Sequence, residues 1–447
     1  MRALTTYASL LFAFTATMAS AQSLDCITIN DDVSNIEKLA KDGSYRFLAS
    51  GEKRLTFNYQ ENKSYAEYLA FATAQINAEN PKATLKCPIE TGVTKALRKK
   101  REALVVADLV SPFELRANTD EKAILLIHGL TDSPYLLHDL ASFYHQQGFN
   151  VRSLLLPGHS TAPEALTEVE YEDWQTATAF AISSTLSDFK EVYLGGFSTG
   201  GALILDNLLT TKEVPNHLKG VMLWAPASKA KSSVAWAAQV VDWIPFVDYA
   251  HKGADIDFAK YETFPLNAGA QVHALMNQLT DKLNKAKSIP DIPLLTITTD
   301  VDSTIDTQST VELLTKWHNA PNRNTRHQDM LFYFGDNASL NGLPDSYQRV
   351  FPACENNEFC KSIINVAHTA VTNAPTNPHY GWQGSYRNCE TSFGTSYYQT
   401  CKTTAKAVLG ETTGDNLNKH PSLQRLTFNP SFEQMGDVVK QFINKTQ

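Results

Sequence analysis

A serine boxed by glycines, "GFSTG" at 196–200, interrupts the apolar run "EVYLGGFSTGGALIL" at 191–205. G-x-S-x-G between a predicted strand and a predicted helix is the pattern of a nucleophile elbow. The chain turns sharply there, holding Ser198 in a strained backbone conformation with its hydroxyl projecting above the sheet. Gly196 and Gly200 let neighbouring elements approach where a Cβ would clash. The N–H of Thr199, at the helix start, faces negative charge developing on a reacting carbonyl oxygen. The chemistry such an arrangement serves is nucleophilic attack by a hydroxyl group.

A hydroxyl needs a base, an acid that orients the base, and a second oxyanion donor. On such a sheet the order is serine, acid, histidine, each after a later strand. "DVDSTID" supplies Asp300, Asp302 and Asp306 after the apolar run "IPLLTITTD". Asp302 is the expected acid, in the loop just past the strand; Asp306 suits a helix cap and Asp300 a turn. Three histidines follow position 330: His368, His379 and His420. His368, in "NVAHTAVTNAP", has the loop setting of the base, whereas His379 and His420 read as surface residues. Imidazoles titrate near neutrality, so a histidine can take the serine proton and return it to a leaving group. The second donor is expected from the loop "IHGLTDSP", as the backbone N–H of Leu130. His128 precedes the serine and fits a structural role.

These residues require a scaffold of strands alternating with helices. "AILLIHGL" (123–130), "NVRSLLLPG" (150–158), "EVYLGGFS" (191–198), "GVMLWAPA" (220–227), "IPLLTITTD" (292–300) and "MLFYFGD" (330–336) read as buried strands. "EDWQTATAFAISSTLSDF" (172–189) and "TQSTVELLTKWHN" (307–319) read as helices between them. The alternation predicts an α/β fold with a mostly parallel sheet covered on both faces. Upstream, "NIEKLAKDGSYRFLAS" and "SYAEYLAFATAQINAEN" are helix-like and carry no catalytic signature.

The 447 residues suit one large domain with additions, and 43% hydrophobic with 19% charged residues is the composition of a globular protein. A formal charge of −8 argues against nucleic acid as the partner. "RKKR" at 98–101 reads as a solvated helix end. The chain contains neither H-E-x-x-H nor G-x-x-x-x-G-K-[ST], so no metal and no nucleotide cofactor is implied.

Arg2, the apolar "ALTTYASLLFAFTATMA" and the small residues of "ASA" at 19–21 predict a signal peptide over 1–21 and export to the periplasm or beyond. Asp25 makes Cys26 a poor lipid-attachment site. Six cysteines, at 26, 87, 354, 360, 389 and 401, cluster as Cys26–Cys87, Cys354–Cys360 and Cys389–Cys401, although 15 pairings are open. Disulfides agree with an oxidising compartment. No integral membrane segment is expected in the mature chain.

Taken together, "IHGLTDSP", "LPGHSTAP", "GFSTGG", "PLLTITTDVDSTID" and "AHTAVTNAP" resemble the α/β-hydrolase superfamily, most of all its monoacylglycerol-lipase and carboxylesterase branch, which includes serine aminopeptidase-like sequences. The resemblance spans roughly residues 106–375 and a terminal helix near 430–445. It implies an α/β-hydrolase domain over 106–447 with a helical cap at about 228–290, after an N-terminal extension at 22–105. It also implies Ser198, Asp302 and His368 as a triad with Leu130 and Thr199 as oxyanion residues. The extension, a disulfide-bearing stretch before His368 and another at 376–425 depart from compact members.

The cap segment is rich in large apolar residues, and Trp236, Trp243, Phe246, Tyr261 and Phe264 are expected to line an acyl pocket. The expected activity is hydrolysis of a small-molecule ester or lipid through an acyl-enzyme. A serine peptidase is the alternative, with Asp242, Asp248, Asp255 and Asp257 as candidates to hold a charged terminus. A non-catalytic binding protein would be expected to lack a triad member.

Overall fold

The computed structural model describes residues 25–447 except 31, 52–53, 62, 99–102, 212, 232–247, 356 and 405–406. The expected signal peptide lies outside the described residues, as do Lys99, Lys100 and Arg101 of the basic run. Strands β1 (Glu114–Leu115), β2 (Lys122–Ile127), β3 (Asn150–Leu154), β4 (Glu191–Phe197) and β5 (Leu218–Trp224) are followed by a ribbon of β6 (Tyr249–His251) and β7 (Phe264–Pro265). Strands β8 (Leu294–Thr299), β9 (Met330–Phe334) and β10 (Gln348–Val350) complete the main sheet. Its order is β1-β3-β2-β4-β5-β8-β9-β10, parallel throughout except for β1 against β3. Ala123 to Ile127 are wholly buried, as strands covered on both faces must be.

Each observed strand ends before its apolar run does. Residues such as His128–Leu130 and Leu155–Gly158 leave the sheet as loops at its C-terminal edge, where open α/β sheets place ligands. The helices at Tyr171–Asp188 and Thr307–Asn319 follow the sequence periodicity, and the terminal helix spans Phe432–Thr446. The first helix, Val33–Asp42, stops earlier than its pattern suggests because Gly43 takes φ 70° and caps it.

The N-terminal segment packs on the same core. Ser64 and Glu67 form a capping box for the helix Tyr65–Glu79. Its Tyr65 and Tyr68 hydroxyls donate to the carbonyls of Ser153 and Leu155, at 2.9 and 3.1 Å. The disulfides Cys26–Cys87, Cys354–Cys360 and Cys389–Cys401 are formed. The described part of segment 228–290 holds the β6–β7 ribbon and the helix Leu266–Lys285, which packs on the helix Thr199–Thr210 through a Lys282–Asp206 ion pair of 2.7 Å. Among the described residues, no helix is long and apolar enough to cross a membrane.

Candidate active site

Ser198 sits between β4 and the helix Thr199–Thr210 with φ 50° and ψ −114°. A non-glycine residue in that region carries strain of about 1–3 kcal/mol, sustained only where the surroundings dictate it. Here they do: the Ser198 N–H donates to the Trp224 carbonyl at 2.9 Å, and the Ser198 carbonyl accepts from Ala227 at 3.0 Å. A Cβ on Gly200 would lie 2.3 Å from the Ile127 carbonyl oxygen, and one on Gly196 would lie 2.5 Å from the Gly201 nitrogen. The elbow is therefore wedged against β2, whose end carries the Leu130 loop.

His368, in a short turn far down the chain, brings Nε2 to 3.1 Å from Ser198 Oγ. Its Nδ1 lies 2.7 Å from Asp302 Oδ2. The second Asp302 oxygen accepts the N–H groups of Thr304 and Ile305 at 2.7 and 2.8 Å, so the carboxylate is held by its own loop. All three side chains are buried. Asp306 caps the helix Thr307–Asn319. Asp300 is half-buried, and burial raises its pKa.

The Leu130 loop is fixed on both sides. Thr131, at φ 65°, donates its N–H to His159 Nε2 at 3.1 Å and accepts from the Tyr261 N–H at 2.8 Å. His128 Nε2 accepts the Leu156 N–H at 3.1 Å, which leaves its Nδ1–H to donate to the Gly129 carbonyl at 2.8 Å. Both imidazoles are thus neutral acceptors. Burial drives His128 well below the usual histidine range and His159 down to about 4. Thr199 is the first residue of its helix, so its N–H has no acceptor within the helix and is free for a ligand oxygen.

Ser198 and His368 open onto a cavity of about 410 Å³. Its lining includes the apolar Phe264, Leu266, Val272, Met276 and Ile305 and the charged or ionisable Asp132, Lys260, Glu262, Glu390 and Arg425. Lys260 and Glu390 pair at 2.5 Å. Burial pushes the carboxyl groups of Asp132 and Glu262 up to about 7 each.

Of the pocket residues expected from sequence, Tyr261 and Phe264 line this cavity. The Tyr261 hydroxyl is already engaged, donating to Gly158 O at 3.0 Å and accepting from the Thr161 N–H at 2.8 Å, so its part is to brace the loops. Trp236, Trp243 and Phe246 lie outside the described residues. Asp242, a candidate for holding a charged terminus, does too. Asp255 and Asp257 are buried and committed elsewhere, Asp255 to the N–H groups of Glu262 and Thr263 and Asp257 to His379 and Tyr380.

His379 corrects the sequence expectation. It is not a surface residue but fully buried, with Nε2 3.0 Å from Asp257 Oδ1 and Nδ1 2.9 Å from Ser385 Oγ. His420 is half-buried. A further such constellation joins Asp329, His318 and Ser346, with contacts of 2.9 and 3.0 Å. Serine–histidine–aspartate contacts therefore occur three times among the described residues, and the contacts alone do not mark a reactive site. Among the described residues, Ser160 and Ser198 are the serines with positive φ, and Ser198 is the one that also opens a helix and lines a cavity with its histidine. Asp329 is moreover claimed by Arg323 at 2.9 Å.

Lys260, Glu390 and Arg425 on the cavity wall had no sequence signal, since nothing local distinguishes them from solvated charges.

The chain is similar in part to several known proteins. The serine aminopeptidase (S33) family pattern matches residues 118–253. A thermostable monoacylglycerol lipase of Bacillus sp. (strain H-257) is 24% identical over 168 residues, a match that spans 36% of this chain and 64% of that lipase. Solved structures similar to this one include a monoacylglycerol lipase of Paleococcus ferrophilus, at 16% identity and TM-score 0.38, covering 50% of this chain and 87% of that one. A monoglyceride lipase variant of Saccharomyces cerevisiae matches at 15% identity and TM-score 0.40, covering 48% of this chain and 80% of that one.

Proposed function

We propose that this chain, an α/β-hydrolase by fold, is an exported serine hydrolase that cleaves carboxylic esters of acyl-glycerol type through an acyl-enzyme. The observation that carries this reading is Ser198 at φ 50°, facing a cavity and 3.1 Å from a histidine itself 2.7 Å from an aspartate. Ser198 Oγ attacks the ester carbonyl while His368 Nε2 takes its proton. Asp302 holds the ring through Nδ1 and stabilises the imidazolium that forms. The Leu130 and Thr199 N–H groups receive the oxyanion. His368 then protonates the departing alcohol, and water resolves the acyl-enzyme by the reverse proton path. The apolar part of the lining suits an acyl chain. Paired cysteines and the apolar N-terminal run support export.

A peptidase reading has one observation behind it: Asp132, Glu262 and Glu390 line the cavity and could receive an ammonium group. The Lys260 ion pair already occupies Glu390, and the apolar lining residues favour the ester.

A p-nitrophenyl ester series from acetyl to palmitoyl tests the reading, run beside amino-acid p-nitroanilides. Ser198-dependent turnover peaking at short or medium chains identifies a carboxylesterase, and a long-chain peak identifies a lipase. Turnover of anilides alone would transfer the site to the peptidase class.

A further inference from the structure

Asp302 and His368 are 66 residues apart in sequence and stand on separate loops. The aspartate loop follows β8 directly, but the histidine follows the stretch 351–367, whose helical structure among the described residues is one short turn at Glu358–Ser362. Something other than the sheet must set the height of the imidazole.

The C-terminal insertion provides it. Leu409–Gly410 and Gln424–Arg425 form a two-stranded parallel ribbon, and Leu409 accepts the Ile364 N–H at 2.9 Å. Just past its first strand, Glu411 is wholly buried. One oxygen accepts the backbone N–H of His368 at 3.0 Å. The carboxylate also receives the Arg425 guanidinium as a fork, Nε at 2.8 Å and Nη2 at 3.0 Å. From there Nη2 reaches Thr304 Oγ1 at 2.9 Å and Ser303 Oγ at 3.5 Å, in the loop that carries Asp302. Meanwhile the Glu411 N–H donates to Asn365 Oδ1 at 2.6 Å, a second hold on the histidine loop.

We propose that Glu411 and Arg425 are positioning residues, a charged strut that sets the His368 imidazole against the Asp302 carboxylate. Neither touches the reacting atoms. The guanidinium is planar and forked, so it fixes an angle as well as a distance, which a lysine cannot do. Burial would raise the Glu411 carboxyl, but the Arg425 charge together with the hydrogen bonds from Arg425 and from the His368 and Thr412 N–H groups outweighs it and holds the group down to about 2, so the strut keeps its charge across the working pH range.

This inference rests on the hydrolase reading above. Its test is steady-state hydrolysis of p-nitrophenyl butyrate by the full chain carrying Glu411→Gln, Arg425→Lys, Thr304→Val, and Glu411→Gln with Thr304→Val. Thr304 is exposed and its valine isosteric, so that variant folds even if a change at the buried pair does not. A small displacement of a catalytic group costs up to ~10²-fold. We expect kcat to fall about 10- to 100-fold in Glu411→Gln, 3- to 10-fold in Thr304→Val and in between for Arg425→Lys, with KM within about twofold. The double variant is expected to be no slower than Glu411→Gln, as for links of one chain. Folded variants with wild-type kcat, a loss carried by KM, or multiplicative losses in the double variant would overturn the proposal. If Glu411→Gln does not fold, Thr304→Val decides it: a lower kcat at constant KM supports the strut, and wild-type kcat removes it. Failure of the hydrolase reading is separate, since the wild type would then turn over no ester or its turnover would survive Ser198→Ala.

Discussion

Gly200 stands so close to Ile127 that a Cβ on it would lie 2.3 Å from the Ile127 carbonyl oxygen and 2.7 Å from that of His128. Both obstacles are main chain, and both belong to the strand end that carries the Leu130 loop. Gly200→Ala must therefore push the elbow away from the loop. The expected result is a loss of about 10²-fold in kcat/KM on a soluble ester, since displacements near 1 Å cost that much. Kinetics on the purified variant check this, and near-wild-type turnover would refute the wedge.

Low pH should loosen the same loop through His159. Its imidazole is held near 4 in the folded chain against an ordinary 6.5, chiefly by burial. Above 6.5 both states are neutral and the stability is intact; as pH falls toward 4 the unfolded chain binds the proton first and stability drains away. The shift is worth of the order of 3 kcal/mol. His159→Gln, which cannot titrate, should gain in melting temperature relative to wild type as pH falls from 6.5 to 4. A constant difference across that range would contradict it.

Asp132 works in the opposite sense. Burial raises its carboxyl from 3.8 to about 7, against the partial offset of Lys260 and His368. Between those values the folded chain keeps a proton that the unfolded chain has released, so stability falls as pH rises from 4 to 7. Asp132→Asn removes a penalty of up to about 4 kcal/mol above that window. Its melting temperature should exceed wild type by more at pH 8 than at pH 5. Equal differences at both pH values would show the group to be ionised at little cost.

The disulfide Cys26–Cys87 closes a separation of 61 residues within the N-terminal segment. Chain-entropy arguments put such a crosslink at about 4 kcal/mol. Replacing both cysteines by serine should lower the urea midpoint by a corresponding amount, while kcat at low temperature stays close to wild type because the triad loops lie elsewhere. Loss of kcat in the folded variant would tie the segment to the site.

Much of this arrangement was legible in the sequence because the chemistry restricts residue types at strand ends. Ser198 and Asp302 each follow a strong apolar run, and His368 comes after both, in the order such a sheet sets. The helix Thr307–Asn319 was legible from period and cap, with Asp306 at its start. Less legible were β1 and β10, edge strands of two and three residues without an apolar run. His379 was misjudged because its partner Asp257 is 122 residues away and no local pattern reports a buried pair. The Glu411–Arg425 strut was invisible for the same reason: its meaning lies in what the two residues join.

The central claim is that Ser198, and not another serine beside a histidine–aspartate pair, does the chemistry. Ser346 makes the ideal control, because its hydroxyl lies 3.0 Å from His318 Nε2 and that ring 2.9 Å from Asp329. The decisive measurement is kcat/KM for p-nitrophenyl butyrate in wild type, Ser198→Ala and Ser346→Ala, each verified as folded. Loss of a nucleophile of this kind costs at least about 10⁴-fold. That loss is expected in Ser198→Ala, with Ser346→Ala within twofold of wild type. Turnover surviving in Ser198→Ala, or collapsing in Ser346→Ala, would contradict the account.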